Sequence, residues 1–175
     1  MIKTIALSIV VLLAALLIYA ATKPDSFRIE RRAAINAPPG KIFALINDFH
    51  QWESWSPWEK IDPAFKRTYS GAASGKGAVY EWNGNKDIGQ GRMEIVESSP
   101  SSKIVLNLDF VTPFEAHNVV EFSLSTDGDR TTVTQAMYGP SPYISKLMTI
   151  FFSMEKMVGD KYEEGLVNLK TLAEK

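Results

Sequence analysis

The chain has 175 residues, of which 19 are basic and 20 acidic, so its formal net charge is −1. This length fits one domain with a short extension, and a hydrophobic fraction of 45% excludes a generally disordered chain. The absence of cysteine excludes disulfides and thiolate ligands, and with two histidines we predict neither a metal site nor a cofactor. The mildly acidic charge also predicts that nucleic acid is not a partner.

The first predicted element is an apolar, uncharged run over residues 5–21, flanked by Lys3 and Lys23. As a helix this run would be roughly 25 Å long, and the two lysines can extend to the interfaces of a bilayer whose hydrocarbon is about 30 Å thick. We therefore predict a transmembrane anchor over residues 1–23, followed by a linker at residues 24–26.

A cleaved signal peptide is the alternative interpretation of this run. The apolar stretch is longer than that of an ordinary signal peptide, and cleavage after Ala20 or Ala21 would not follow an A-x-A motif. We therefore favour an uncleaved anchor. Basic residues are denser after the run than before it, but Arg28, Arg31 and Arg32 belong to the next predicted strand. The side of the membrane that the domain faces stays open.

A strand, a short helix and a tryptophan-rich segment come next. Residues 27–35 alternate between apolar and polar side chains, which predicts a strand. The Ala-Pro-Pro sequence at residues 37–39 ends this strand and leads into a short helix over residues 41–47. Residues 48–59 contain three of the four tryptophans and match neither the helical nor the strand period, and Pro57 indicates a turn there.

From about residue 65 to residue 138 the pattern is that of antiparallel strands joined by short turns. Six segments alternate in polarity or are bounded by glycines, at residues 65–70, 78–83, 89–98, 104–110, 114–125 and 131–138. The turns contain the residue types of hairpins, such as Asp127-Gly128-Asp129.

The last predicted element is helical, from residue 143 to residue 173. We expect a kink or a break at Gly159, because the glycine is followed by acidic residues in a capping pattern. In the second half, Leu166, Leu169 and Leu172 are spaced to face the sheet. A strand, a helix, many strands and a long apolar-faced helix predict an α+β domain with helices on one face of the sheet.

The tryptophan-rich segment and its surroundings resemble a known family. The sequence D-F-H-Q-W-E-S-W-S-P-W-E at Asp48–Glu59 is similar to a D-x-x-x-W-x-x-W-x-P-W motif of bacterial proteins in the SRPBCC superfamily, which includes START domains, the birch-pollen allergen and polyketide cyclases. The segments at residues 35–46, 80–95 and 165–174 also resemble this family. The resemblance covers residues 27–175.

The resemblance implies a helix-grip fold, in which a curved antiparallel sheet of about six or seven strands surrounds a long C-terminal helix. It also implies a hydrophobic cavity between the sheet and that helix. Family members bind lipids, sterols, polyketides, hormones or quinones, and some are cyclases.

Ten residues are candidates for ligand contact on this interpretation. Most are apolar residues expected to point inward, with two tryptophans near the cavity mouth and one histidine at the start of a strand: Trp55, Trp58, Trp82, Met93, Leu108, Phe110, His117, Phe122, Met148 and Phe152. We expect His50 at the surface or in packing. The strand carboxylates are expected on the solvent face, namely Glu81, Glu94, Asp109, Glu115 and Glu121.

Three functions remain open from the sequence. The favoured one is a binder of an apolar small molecule or lipid that residues 5–21 anchor, as a single pass, in a bacterial inner membrane. The first alternative is a polyketide cyclase or dehydratase that uses acid–base residues in the same cavity, although no catalytic motif such as Ser-His-Asp or H-E-x-x-H occurs. The second alternative is a non-catalytic interaction module whose cavity is collapsed.

Overall fold

The structure is a computed structural model that describes residues 2–175. Its first element is the apolar helix α1 (Ile2–Ala21), which is long and apolar enough to span a bilayer, a property that signal sequences share. Of the residues of α1, Leu16 is half-buried and Ala20 is buried, whereas the others are exposed. The helix therefore contacts the domain only near its C-terminal end.

The domain is built on a seven-stranded antiparallel sheet. Its strands are β1 (Ser26–Ile35), β2 (Lys66–Gly71), β3 (Ala78–Asn83), β4 (Gln90–Ser99), β5 (Lys103–Thr112), β6 (Ala116–Asp127) and β7 (Arg130–Pro140). The order in the sheet is β1-β7-β6-β5-β4-β3-β2, so β2 to β7 form a meander and β1 closes it beside β7. The register of β4 against β5 shifts between Ile95 and Glu97, and such a bulge bends the strand.

Five helical segments follow β1 or β7. Between β1 and β2 lie α2 (Pro39–Asn47) and two 3₁₀ helices, at Phe49–Ser54 and Pro57–Lys60. After β7 come α3 (Tyr143–Met148) and the long C-terminal α4 (Met154–Ala173). The architecture confirms the predicted α+β class and the helix-grip arrangement, with α4 packed against the sheet beside β1.

The core lies between α4 and one face of the sheet. Leu166 and Leu169 are buried and Leu172 is half-buried, which confirms that this face of α4 points to the sheet. They pack in the same cluster as Phe122 of β6 and Val133 of β7. Burying a leucine side chain contributes roughly 1.5–3 kcal/mol, so this contact is a main source of stability.

The prediction of a helix break at Gly159 is wrong. The helical region is interrupted at residues 149–153 instead, and Ser153 caps α4 by accepting a hydrogen bond from the Lys156 amide at 3.2 Å. Gly159 lies inside α4, where the guanidinium group of Arg31 occupies the space that a β-carbon would need. The glycine is therefore explained by close packing and not by helix termination.

Candidate functional site

A cavity of about 400 Å³ lies between the sheet and α4. Its wall comes from the two 3₁₀ helices, from β3 to β7 and from α4, and most of the side chains are apolar. Residues two apart on one strand share a face, which is why Tyr80 and Trp82 of β3 both line it, as do Leu108 and Phe110 of β5. The volume falls within the range of small-molecule sites.

The tryptophan-rich segment closes one end of the cavity. The indole nitrogens of Trp52 and Trp55 donate hydrogen bonds to the carbonyl oxygens of Ile46 and Leu45, at 2.9 and 3.1 Å. These bonds satisfy the polar end of each buried indole and fix the 3₁₀ helices against the end of α2. Asn168 of α4 donates to the Trp55 carbonyl at 3.0 Å, so the same segment is also tied to the C-terminal helix.

Six of the ten candidate ligand-contact residues lie in the cavity wall. They are Trp55, Trp58, Trp82, Met93, Leu108 and Phe110. The sheet register brings the strand residues together, because Met93 of β4 pairs with Tyr80 on one side and with Leu108 on the other. The structure thus places these six side chains around one space, and their contact with a ligand stays a prediction.

The other four candidates lie elsewhere. Phe122 points to the same side of the sheet but is covered by Trp52 and Trp55, which meet its ring edge to face at centroid distances of 6.1 and 6.2 Å. Met148 and Phe152 lie on the exposed surface around α3. Their apolar character suggested an inward position, but the interruption before α4 turns them away from the core.

His117 is on the outer face of the sheet, with its side chain 69% exposed. Its Nδ1 lies 2.7 Å from a carboxylate oxygen of Asp109, its partner across β5 and β6, and Nε2 lies 3.4 Å from Glu115. The hydrogen bond to Asp109 raises the pKa of His117 above its ordinary value, with a smaller contribution from Glu115. The position of His117 on the outer face gives no support to the prediction that it contacts a ligand in the cavity.

His50 and the strand carboxylates have positions that match the expectations for them. The His50 ring is exposed and stacks on Tyr69 at a centroid distance of 4.2 Å, beside a second cavity of about 210 Å³. None of the carboxylates expected on the solvent face is buried: Glu81 and Glu115 are exposed, and Glu94, Asp109 and Glu121 are half-buried.

Within residues 2–175, no group of three or more potential metal-ligating side chains comes together.

The sequence reasoning missed one buried carboxylate in the cavity wall. Glu59 is only 7% exposed, and its two oxygens accept hydrogen bonds from the Tyr80 hydroxyl at 2.6 Å and from Arg67 Nε at 2.7 Å. Burial and the adjacent carboxylate raise the pKa of Tyr80. Since Glu59 lies in a short 3₁₀ helix, no periodicity marks it as inward, and the only signal was its place at the end of the tryptophan motif.

Gln135 of β7 and Tyr162 of α4 are among the further polar side chains that line the cavity, and both are buried. Burial raises the pKa of the Tyr162 hydroxyl. Within the described residues, the Gln135 carbonyl oxygen has no hydrogen-bond partner. The cavity is therefore an apolar space with a few polar groups.

Comparison with known proteins identifies the family. The sequence profile described as "Polyketide cyclase / dehydrase and lipid transport" matches residues 26–174. The chain belongs to the polyketide cyclase/dehydrase and lipid transport family. The SRPBCC resemblance is thereby confirmed, and the match covers the sheet, the 3₁₀ helices and α4 but not α1.

Solved structures with the same fold come from several kinds of organism. Protein CV1439 from Chromobacterium violaceum is 15% identical with a TM-score of 0.59, over 87% of this chain and 99% of that one. The ginseng major latex-like protein 151 from Panax ginseng is 13% identical with a TM-score of 0.57, over 86% and 99%. CalU16 from Micromonospora echinospora is 17% identical with a TM-score of 0.53, over 84% and 73%. At identities this low, the similarity to these three proteins shows only that the chain shares their fold. Among curated proteins, none matches the sequence.

Proposed function

We propose that the chain is a membrane-anchored protein that binds an apolar small molecule or lipid in the cavity between the sheet and α4. The observation that carries this proposal is the cavity itself, about 400 Å³ of space walled mainly by aromatic and aliphatic side chains. Met93, Met137 and Met157 are part of the wall, and flexible methionines suit ligands of loosely specified shape. The family, whose description includes lipid transport, supports the same class of ligand.

The apolar wall is sufficient for useful affinity without many hydrogen bonds. A ligand that loses about 300 Å² of contact with water gains roughly 7 kcal/mol, before the cost of ordering is subtracted. Before that cost is subtracted, the gain corresponds to a dissociation constant of about 10 µM. Buried polar groups of the wall such as Glu59, Gln135 and Tyr162 would orient a ligand that carries one polar end.

The proposal assigns the anchor to residues 1–23, the linker to residues 24–26 and the ligand-binding domain to residues 27–175. The length and apolarity of α1 support an anchor. A cell-fractionation experiment tests this part. The full chain is expected in the carbonate-resistant membrane fraction of the bacterial inner membrane, and a mature chain that starts near Ala21 or Thr22 would instead identify a signal peptide.

Binding is tested with the neutral fluorescent probe N-phenyl-1-naphthylamine and residues 24–175, after circular dichroism has established that this fragment folds. The wild-type fragment is expected to bind the probe. Leu108→Trp fills the cavity and is expected to weaken binding, whereas Val167→Trp, on the exposed side of α4, serves as the matched control. Failure of the folded wild-type fragment to bind any apolar probe would contradict the proposal.

The second candidate function is a cyclase or dehydratase, and the buried Glu59 favours it. A carboxylate held by Tyr80 and Arg67 beside an apolar space is a suitable acid–base group if the substrate reaches it. Turnover of a polyketide that is lost in Glu59→Gln but kept in Glu53→Gln, an exposed neighbour, would establish this function. The remaining alternative, an interaction module, requires a collapsed cavity, and the observed cavity gives it no support.

A further inference from the structure

The C-terminal end of α1 packs on α3. The Tyr143 hydroxyl donates a hydrogen bond to the Leu17 carbonyl oxygen at 2.9 Å, and Ala20 is completely buried. Leu17 precedes the last residue of α1, Ala21, by four positions, which places it about 6 Å from the end of the helix along its axis. The start of α3 therefore lies beside the last apolar turn of α1.

An ion pair between a buried lysine and an exposed aspartate holds α3 in this position. Lys146 of α3 has a side chain that is 9% exposed, and its ammonium group is hydrogen-bonded to Asp25, which lies just after α1. An ammonium group without a partner would be costly at such a buried site. Together with the Tyr143 bond, this pair ties α3 to both the end of α1 and the residues that follow it.

The segment from α3 to the first turn of α4 exposes large apolar side chains. Phe151 is 66% exposed and Phe152 is 59% exposed, and three more residues of this segment are also exposed: Ile144, Met148 and Met157. We call these five residues the apolar mouth surface. Ile144, Met148, Phe151 and Phe152 are spaced as on one helical face, and the amides of both phenylalanines donate to the Met148 carbonyl at 3.0 Å.

The apolar mouth surface continues to the opening of the cavity. Met157 belongs to this surface and also lines the cavity. Thr112, the last residue of β5, and Pro113 line the same cavity, and the next residue, Phe114, is exposed. Apolar side chains thus extend from the end of α1 to the rim of the cavity.

We propose that the apolar mouth surface lies in the interface of the bilayer that α1 spans, so that the cavity opens towards the lipid. This inference rests on the anchoring role proposed for α1. A helix that crosses the membrane would hold Tyr143 at the boundary between hydrocarbon and head groups, where tyrosine is enriched. The phenylalanines beside it would then bury their rings among the acyl chains, as interfacial helices do.

The charged residues of this segment indicate which lipids its docking to the bilayer requires. Within residues 143–157, Lys146 is paired with Asp25 and Glu155 is paired with Arg31, whose Nη1 lies 2.6 Å from it. Lys156 is the remaining charged residue of this segment. Docking is therefore driven by apolar area, and it is expected in a zwitterionic bilayer without anionic lipid.

Docking of this surface would determine how the ligand reaches the cavity. A poorly soluble molecule would pass between bilayer and cavity without crossing bulk water. The protein would then load and unload its ligand at the membrane that anchors it.

The absence of cysteine makes a direct test practical. Single cysteines are introduced into the full chain by Phe152→Cys, Ile144→Cys, Val167→Cys and Leu12→Cys, and each is labelled with the fluorophore NBD. The labelled proteins are reconstituted in phosphatidylcholine vesicles. Quenching by aqueous iodide and by a lipid-borne nitroxide is then measured. Val167 is 61% exposed, close to the value of Phe152, and is the matched control.

The labels at 152 and 144 are expected to be quenched by the lipid nitroxide and to have iodide quenching constants several-fold smaller than the label at 167. If the label at 12 is protected from iodide while those at 152 and 144 are as accessible as the one at 167, the anchor holds and the interfacial docking is overturned. If the label at 12 is itself accessible to iodide, the anchoring part of the proposed function has failed. Circular dichroism of each labelled variant verifies that it is folded.

Discussion

Trp82 and Phe110 meet edge to face across Gly91, with ring centroids 5.8 Å apart and an angle of 83° between the rings. The sheet register explains the contact, because Gly91 of β4 pairs with Trp82 on one side and with Phe110 on the other. The missing side chain of the glycine leaves room for the indole, whose nitrogen donates to the Ile88 carbonyl at 3.1 Å. This pair forms one part of the cavity wall.

Gly91→Ala is expected to lower the free energy of unfolding by about 1–3 kcal/mol, because the new methyl group would overlap the Trp82 ring and the Asp109 carbonyl. It should also weaken probe binding by displacing the indole. Gly40→Ala in α2 is the control, since the nearest atom to its methyl would be Ser101 Oγ at 3.6 Å. Urea unfolding followed by circular dichroism measures both, and equal stabilities of the two variants would contradict this account of Gly91.

Leu169→Ala is expected to lower the free energy of unfolding by about 2–5 kcal/mol, because Leu169 is completely buried between α4 and the sheet. Val167→Ala is the matched control on the exposed side of the same helix and should change stability by less than about 0.5 kcal/mol. Urea titration of the full chain in mild detergent compares the two. A loss at 169 no larger than that at 167 would mean that α4 is peripheral to the fold.

Tyr80→Phe removes one of the two donors to the buried carboxylate of Glu59. Leaving a buried acceptor with one partner fewer is expected to cost about 1–3 kcal/mol of stability. Tyr69→Phe is the control, because Tyr69 is the neighbouring tyrosine, is partly exposed, and has no hydrogen bond from its hydroxyl within the described chain. Thermal unfolding measures the difference, and a Tyr80→Phe variant as stable as Tyr69→Phe would rule out a structural role for this bond.

The pKa of His117 is expected to lie above about 6.5, the value of an unperturbed histidine, because Asp109 stabilises its protonated form. Asp109→Asn should therefore lower this pKa, as measured by NMR titration of the imidazole protons. Since the pKa is raised in the folded state, the stabilisation is fully present below the unfolded-state pKa and is lost as pH rises through the folded-state value. An unchanged titration of His117 in the Asp109→Asn variant would disprove the coupling.

The strands could be predicted from sequence because the residues of each strand and of its turns form a local pattern. Every observed strand boundary lies within two residues of the predicted one, and the reason is that alternation and turn residues are local signals. The inward positions of Leu108 and Phe110 follow from the same alternation. Once one face of a strand is assigned to the core, the register determines which side chains of the neighbouring strands lie on that face.

The features that the sequence did not reveal depend on contacts between distant segments. The buried Glu59 is paired with Arg67 and Tyr80, which come to it from other elements. Met148 and Phe152 were expected inside because an apolar helical face is the same pattern whether it packs on a core or faces a lipid surface. Their exposure beside the end of α1 becomes apparent only when α3 is placed in three dimensions.

Native mass spectrometry of residues 24–175, purified from the cell without added ligand, tests most directly whether the cavity binds an apolar molecule. The wild-type fragment is expected to carry a non-covalently bound apolar compound that organic extraction releases. Leu108→Trp should carry markedly less of it, and Val167→Trp should carry as much as the wild type. A folded wild-type fragment that appears only at its ligand-free mass, or a Leu108→Trp variant that retains the compound in full, would contradict the account.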